Sequence, residues 1–409
     1  LVRLSLAETA SLVEALVGGG VHRATAQRIH ESTDGLPLAV TELVRHALDR
    51  GLLTERDGLY AWRRSGTIDV RLATLLGARA DSLVGADFVF AAIRVGGSAG
   101  RIIDERVALD HGLLGQETVG PGGLAYALRT VPVMRRVAET IAEVAPDAWT
   151  INFTNPAGIV TQAMAAVLGE RVVGICDTPI GLVRRVSRLL GASLEHDRDR
   201  VDYDYVGLNH LSWLRSVSVD GEDRLPGLLA SDDALEHVEE ARLLGKDWVR
   251  AMGALPNEYL YYYWKTDEAI GNIRAATQTR GQYLDVQQGR FYDSVACCDS
   301  PLGLWHDALH EREATYMAEA READEARHEE DVAGGGYQEV ALRLMTALAT
   351  GEPERMILDV ANSSGTGRII PELPDDMVVE VGCVADGGGV HPIPIAPLTL
   401  HQLGQMSSL

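Results

Sequence analysis

The chain has 409 residues, 46% of them hydrophobic, and a formal net charge of -22 at pH 7. That length and apolar content support two or three domains with an ample core. The charge excludes a basic nucleic-acid footprint, so any phosphate site must be a local cluster of Arg and backbone N–H groups.

The first stretch, residues 1–82, reads as a small helical, winged-helix-like segment. Leu6–Val17, Thr25–Thr33 and Leu38–Arg50 carry helical periodicity, broken by Gly18-Gly19-Gly20, Asp34-Gly35-x-Pro37 and Gly51. Asp57-Gly58 between two short β-prone runs predicts a hairpin. The triple glycine follows a helix rather than a strand, which argues against a nucleotide-binding turn. From Gly85 strand and helix alternate. Phe88–Ile93, Trp149–Phe153 and Arg171–Ile175 suit buried parallel strands, with Leu124–Val144 and Gly158–Leu168 as helical connectors. Residues 218–330 are mainly helical, and an α+β stretch follows with Gly334-Gly335-Gly336-Tyr337, Asn362-Ser363-Ser364 and Val378–Val384. The expected fold is therefore α/β. An incomplete Rossmann-like doubly wound sheet (83–195) precedes an α+β C-terminal catalytic domain (196–409).

The four cysteines, Cys176, Cys297, Cys298 and Cys383, include no Cys-x-x-Cys pair. They exclude a disulfide scaffold and fit a reducing cytoplasm. No signal peptide or bilayer-length apolar run is evident.

Three islands place polar or flexible residues directly after apolar runs, where open α/β sheets bind ligands. They are Ile93-Arg94-Val95-Gly96-Gly97 with Gly115-Gln116-Glu117-Thr118-Val119-Gly120, then Ile151-Asn152-Phe153-Thr154-Asn155-Pro156, and lastly Gly174-Ile175-Cys176-Asp177-Thr178-Pro179 paired with Gly207-Leu208-Asn209-His210-Leu211-Ser212-Trp213. A Cys and a His at such ends suit a transition metal. Asp177 before Thr-Pro also reads as a helix N-cap, and Asn155 before Pro as a turn residue. Arg94 beside two glycines could cradle a phosphate.

Together these motifs resemble glycoside hydrolase family 4 over about 83–400, and in particular its 6-phospho-β-glucosidase branch. The resemblance implies a cytoplasmic NAD- and Mn2+-dependent glycosidase acting on a phosphorylated disaccharide or aryl glucoside. It implies C3 oxidation, C2 deprotonation and elimination, an exception to two-carboxylate glycoside hydrolysis. It implies Cys176 and His210 as metal ligands, Tyr262 (or Tyr263) as the base, and Asp177 as an acid in an α-specific variant. It places Glu117, Thr118 and Asn155 at the cofactor, and Arg94, Asn155, Asn209 and Arg280 at the substrate. A homo-oligomer, dimer or tetramer, is expected, with neither nucleic acid nor membrane as partner.

Family members open with a strand, a Gly-rich turn and a second strand ending in an acidic residue, which hold NAD. That unit is not found before Gly85, so weakened NAD binding is expected, and the C-terminal helices are expected to stop short at Leu409. Residues 28–37, 42–44 and 51–53 are similar instead to the segment after the nucleotide core of multidomain signalling ATPases with helix-turn-helix regulators. No phosphate-binding loop accompanies them. Four alternatives stay open: a 6-phospho-α-glucosidase, an α-galactosidase, a malate/lactate-type dehydrogenase and a non-catalytic regulatory fusion.

Overall fold

The computed structural model describes residues 4–33, 40–41, 43–44, 47–48, 53–56, 58–62, 83–194, 196–295, 298, 300–321, 325–332, 336–364 and 367–408. Much of the expected third helix (Leu38–Arg50), the turn residue Asp57, Cys297 and Gly334-Gly335 lie outside the described residues. The chain divides into two compact units, Leu1–Asp87 with Arg136–Ala148, and Phe88–Arg135 with Trp149–Leu409.

In the first unit α1 (Leu6–Val17) matches its expected bounds because both ends are specified locally. Ser5 and Glu8 form a capping box, and Gly18 takes φ 71 at the C-cap, where a side chain would be strained. β1 (Gly20–Val21) and α2 (Arg23–Thr33) follow, then the hairpin β2 (Leu53–Arg56) and β3 (Leu59–Trp62). The sheet order is β1-β3-β2, with β1 parallel to β3. Val13, Ile29, Val40, Leu43, Val44 and Leu53 form its core.

The second unit is built on a ten-stranded mixed sheet. Three parallel strands, β4 (Phe88–Ala91), β5 (Trp149–Asn152) and β6 (Val172–Gly174), are joined by helices. The helices are α3 (Gly97–Asp110) and α4 (Gly120–Val144), whose last turns count with the first unit, then α5 (Ala157–Leu168). After α6 (Thr178–Leu189) comes the long antiparallel hairpin β7 (Val201–Leu208) and β8 (Leu211–Val219). β9 (Glu222–Asp223) and β10 (Leu255–Pro256) flank β8. The hairpin carries a strand-like alternation, with Val201, Tyr203 and Tyr205 buried and Asp202 and Asp204 less so, although the sequence reading assigned no strand there. The helical stretch includes α7 (Leu260–Trp264), α8 (Arg280–Val295), α9 (Pro301–Ala314) and α10 (Tyr337–Thr350). β11 (Glu354–Ala361), the small ribbon β12 (Ser363–Ser364) and β13 (Gly367–Arg368), β14 (Val378–Asp386), β15 (Gly389–Pro392) and α11 (Leu400–Ser407) complete the unit.

The main path of the sheet runs β10-β8-β7-β14-β11-β6-β5-β4, so strands from both sides of residue 195 share one sheet. Its core includes the fully buried Trp213, Tyr205, Tyr261, Ile151 and Ile175. β4 is the edge strand among the described residues. No described helix is long and apolar enough to cross a membrane.

Candidate active site

Side-chain hydrogen bonds fix the ends of the parallel strands. Asn152 Oδ1 accepts from the Thr154 amide, while Thr154 Oγ1 donates to the Ala91 carbonyl and accepts from the Ile93 amide. This ties the turn after β5 to the turn after β4. Asn155 follows and is half-buried at the rim of a cleft of about 2210 Å³. Arg94, Glu117, Asp177, His210, Tyr259 and Arg280 also line that cleft.

Cys176 follows β6, and His210 occupies the turn between β7 and β8, with φ 67. His and Asn are among the residues that tolerate this left-handed region best. Although β11 and β14 lie between β6 and β7, Cys176 Sγ and His210 Nε2 stand 3.9 Å apart. Two donors bonded at about 2.0–2.3 Å to one ion at a wide angle span roughly that distance. Among the described residues no third His, Cys, Asp or Glu completes a cluster.

The surroundings prepare the imidazole. Gln116 Oε1 accepts from the Thr118 and Val119 amides and from Thr118 Oγ1. With its proton committed there, Thr118 Oγ1 accepts from His210 Nδ1, 3.1 Å away. The tautomer is therefore Nδ1–H, and the Nε2 lone pair faces Cys176, the arrangement by which an outer hydrogen bond orients a metal-binding imidazole. Burial lowers the His210 pKa to about 4, against a smaller opposing pull from Glu117, so the ring is neutral at pH 7. Burial, reinforced by Asp177 and Glu380, raises the Cys176 thiol well above its ordinary range. It becomes a thiolate only beside a cation.

The tyrosine at this centre is Tyr259. Its ring stacks on His210 with centroids 3.7 Å apart and planes within 2°. Burial and the Glu117 charge raise its phenol. Tyr262 also lines the cleft, its ring 5.8 Å from that of Tyr259, and donates to Glu319 Oε1 at 2.5 Å. Tyr263 is half-buried and is not among the cleft-lining residues, with burial pushing its phenol up to about 12. Sequence periodicity does not rank neighbouring tyrosines by depth, and only the position of Tyr259 directly after Pro256-Asn257-Glu258 hinted at a fixed turn.

Asp177 precedes α6 but makes no side-chain capping hydrogen bond. Burial, with Glu313 adding to it, raises its pKa to about 7, so it can donate a proton near neutrality. Glu117 behaves oppositely. Burial alone would raise it, yet Arg101 and Arg94 hold it near 2. Arg94 Nη2 and Arg101 Nη1 lie 2.6 and 2.8 Å from the same Glu117 oxygen. Arg101 and Arg129 are contributors that the sequence did not single out. Arg129 pairs with Asp104 and packs so tightly on Gly96 that a Cβ there would stand 2.7 Å from its Nε. The Gly96 side of this turn is thus taken by Arg129 while the space beside Gly97 is open, and Arg94 faces the cleft from Glu117 and the Tyr126 ring.

Arg280 lines the cleft but donates to the Thr315 and Arg312 carbonyls. Asn209 points beneath the site, to Glu380 Oε1 at 3.0 Å.

Known proteins bear on this site at two levels. The model of the Family 4 glycosyl hydrolases matches residues 59–192, and that of the Family 4 glycosyl hydrolase C-terminal domain matches 205–409. A probable 6-phospho-beta-glucosidase of Bacillus subtilis (strain 168) is 31% identical over 338 residues, 81% of this chain and 70% of that protein. A maltose-6'-phosphate glucosidase of the same organism is 29% identical, covering 78% and 68%. In fold, a 6-phospho-beta glucosidase from Thermotoga maritima, solved with NAD and glucose-6-phosphate, superposes with a TM-score of 0.65. It is 24% identical over 99% of this chain and 85% of that one. A 6-phospho-alpha-glucosidase from gut microorganisms, in complex with NAD and Mn2+, gives 0.59 at 24% identity over 98% and 85%. With this extent of match and these two matched models, the chain belongs to the family 4 glycosyl hydrolases.

Proposed function

We propose that the chain hydrolyses 6-phosphorylated glucosides in this cleft, with Cys176 and His210 holding a divalent metal such as manganese and NAD beside it. The observation that carries this is the Cys176–His210 pair, with its imidazole tautomer fixed toward the thiol and Tyr259 stacked on the ring. When bound, the metal would stabilise negative charge on the sugar oxygens and NAD would accept and return a hydride. The donor set fits a borderline cation: one imidazole nitrogen is ready at neutral pH, and one thiol ionises in a cation's field.

Tyr259 is the proposed base, removing the proton made acidic beside the oxidised carbon. Its raised phenol requires the metal's field to ionise, as with the thiol. Asp177 would hand a proton to the departing oxygen. Arg94 would bind the phosphate while Arg101 keeps Glu117 charged and in place. Glu117, Thr118 and Asn155 are the proposed contacts on the cofactor side, with Arg280 and Asn209 shaping the substrate side from behind. Among the described residues Arg129 covers the Gly96 side of the turn between β4 and α3. Weak NAD binding by this chain is part of the proposal. Residues 1–82, whose described part runs α1, β1, α2 and the β2–β3 hairpin, are proposed as a winged-helix-like docking module.

The β-glucoside reading draws on the probable 6-phospho-beta-glucosidase that is 31% identical. An α-glucoside reading is favoured by one observation, the proton-bearing Asp177 in the cleft. The test assays p-nitrophenyl β- and α-glucoside-6-phosphates and their unphosphorylated forms with Mn2+ and millimolar NAD. Turnover restricted to the phosphorylated β compound supports the proposal. A preference for the α anomer transfers it to the second reading, and equal rates without phosphate reject the Arg94 site.

A further inference from the structure

Beneath the cleft lies a buried side-chain chain that the proposed chemistry does not use. Glu380 on β14 accepts from Asn209 Nδ2 at Oε1 (3.0 Å) and from Ser212 Oγ at Oε2 (2.7 Å). These two donors straddle His210 in the turn between β7 and β8. Ser212 Oγ is 2.7 Å from Tyr205 OH, which Asn257 Nδ2 reaches at 3.4 Å. The same Asn257 nitrogen donates to Thr178 Oγ1 at 3.0 Å, and Thr178 Oγ1 is 3.4 Å from Cys176 Sγ. Asn257 Oδ1 accepts from the Tyr259 amide at 3.0 Å.

The donor directions are fixed by chemistry. An amide nitrogen only donates, so Asn257 obliges Tyr205 OH to pass its proton to Ser212, and Ser212 to pass its own to Glu380. The chain ends correctly only on an acceptor with no proton of its own to place. Asp359 is paired across the sheet with Glu380 and also with Gly174 of β6. Both Asp359 carboxyl oxygens are buried and without a hydrogen-bond partner. Two carboxyls this close in an apolar setting cannot both be charged. Burial raises both: with the Glu380 charge added it pushes Asp359 well above its ordinary range, while the Ser212 and Asn209 hydrogen bonds restrain Glu380 to about 7, so the shared proton resides on Asp359 and Glu380 is the carboxyl that ionises.

We infer that Glu380 is a positioning residue whose carboxylate, through Asn209 on one arm and Ser212, Tyr205, Asn257 and Thr178 on the other, holds His210, Cys176 and Tyr259 in one mutual geometry. The inference rests on the metal reading proposed above. Glu380→Gln tests it closely. Its amide must turn a donor toward Ser212 or Asn209, which already donate, and the reversal leaves Asn257 with a mismatched partner or releases the Tyr259 amide.

The experiment titrates Mn2+ into the full-length chain, reading the unbound ion by electron paramagnetic resonance, alongside melting curves of the metal-depleted proteins in chelator. Orienting partners of metal ligands are worth roughly 10–100-fold in metal affinity, and that loss is expected for Glu380→Gln with its melting temperature close to the parent's. Ser212→Ala cuts one arm only and is expected to lose less. Should Glu380→Gln fail to fold, Ser212→Ala and Asn209→Ala carry the test, each expected to weaken Mn2+ binding by roughly 3–30-fold. Folded variants that bind Mn2+ within about twofold of the parent overturn the inference while leaving the metal reading intact. A parent that binds no Mn2+ overturns the metal reading itself, and this inference with it.

Discussion

At the scale of single residues, two groups with opposite perturbations meet at one point. His210 is neutral long before pH 7, whereas Cys176 keeps its proton far above it. Metal binding at pH 6–8 should therefore release about one proton, from the thiol, and the logarithm of Mn2+ affinity should rise with pH at a slope of about one. A slope near two would mean that the imidazole is protonated in the metal-depleted protein and contradict its buried, neutral state. Tyr259→Phe should lower kcat by roughly 10²–10⁴-fold, the usual worth of a positioned base, without loss of Mn2+ binding. Tyr262→Phe, which loses only a contact to Glu319, should change kcat far less, and equal losses in both would return the base role to Tyr262. Asp177, with its pKa raised to about 7, is protonated below that pH. Any activity that needs it as an acid should fall as pH rises through 7, and Asp177→Asn should remove that limb of the profile. The residue types of this site were legible in the chain, because Cys, His and Asp follow apolar runs. Which of four clustered tyrosines meets the imidazole was not, since that depends on how residues 255–264 pack against the β7–β8 turn.

At the scale of elements, the β7–β8 hairpin positions the site more than any helix does. Gly207 is pressed against the returning strand, where an added Cβ would stand 2.3 Å from the Leu211 carbonyl oxygen and from the Ser212 Cα. Gly207→Ala should destabilise the unit by about 1–3 kcal/mol, as overpacking does, and weaken Mn2+ binding by displacing His210. Unchanged affinity in the folded variant would show that the hairpin tolerates the shift. Trp213, fully buried on β8, should cost about 3–5 kcal/mol when cut to Ala, read from denaturant unfolding. The parallel strands and α1 were readable because apolar runs and local caps specify them. The hairpin's alternation is strand-like too, but its turn end was not readable, because the fit of Gly207 and Ser212 depends on Glu380 from a strand about 170 positions later.

At the scale of the whole molecule, one mixed sheet carries the motifs that sequence reading had assigned to two domains. The interleaving of β11 and β14 between β6 and β7 is a long-range pairing that no local pattern announces. NAD binding is expected to be weaker than micromolar by calorimetry, a forfeit from about 8 kcal/mol of binding free energy at that affinity, with Arg129 covering the Gly96 side of the turn after β4. Micromolar or tighter binding would contradict this expectation. The central claim, that Cys176 and His210 hold the metal on which turnover depends, is tested most directly by one paired measurement. Mn2+ binding and release of p-nitrophenol from glucoside-6-phosphates, at saturating NAD, are compared between the parent and Cys176→Ser. The account predicts that the parent binds one Mn2+ per chain and turns over, and that the variant, equally folded, loses both. A variant that retains the parent's Mn2+ affinity and rate would contradict it.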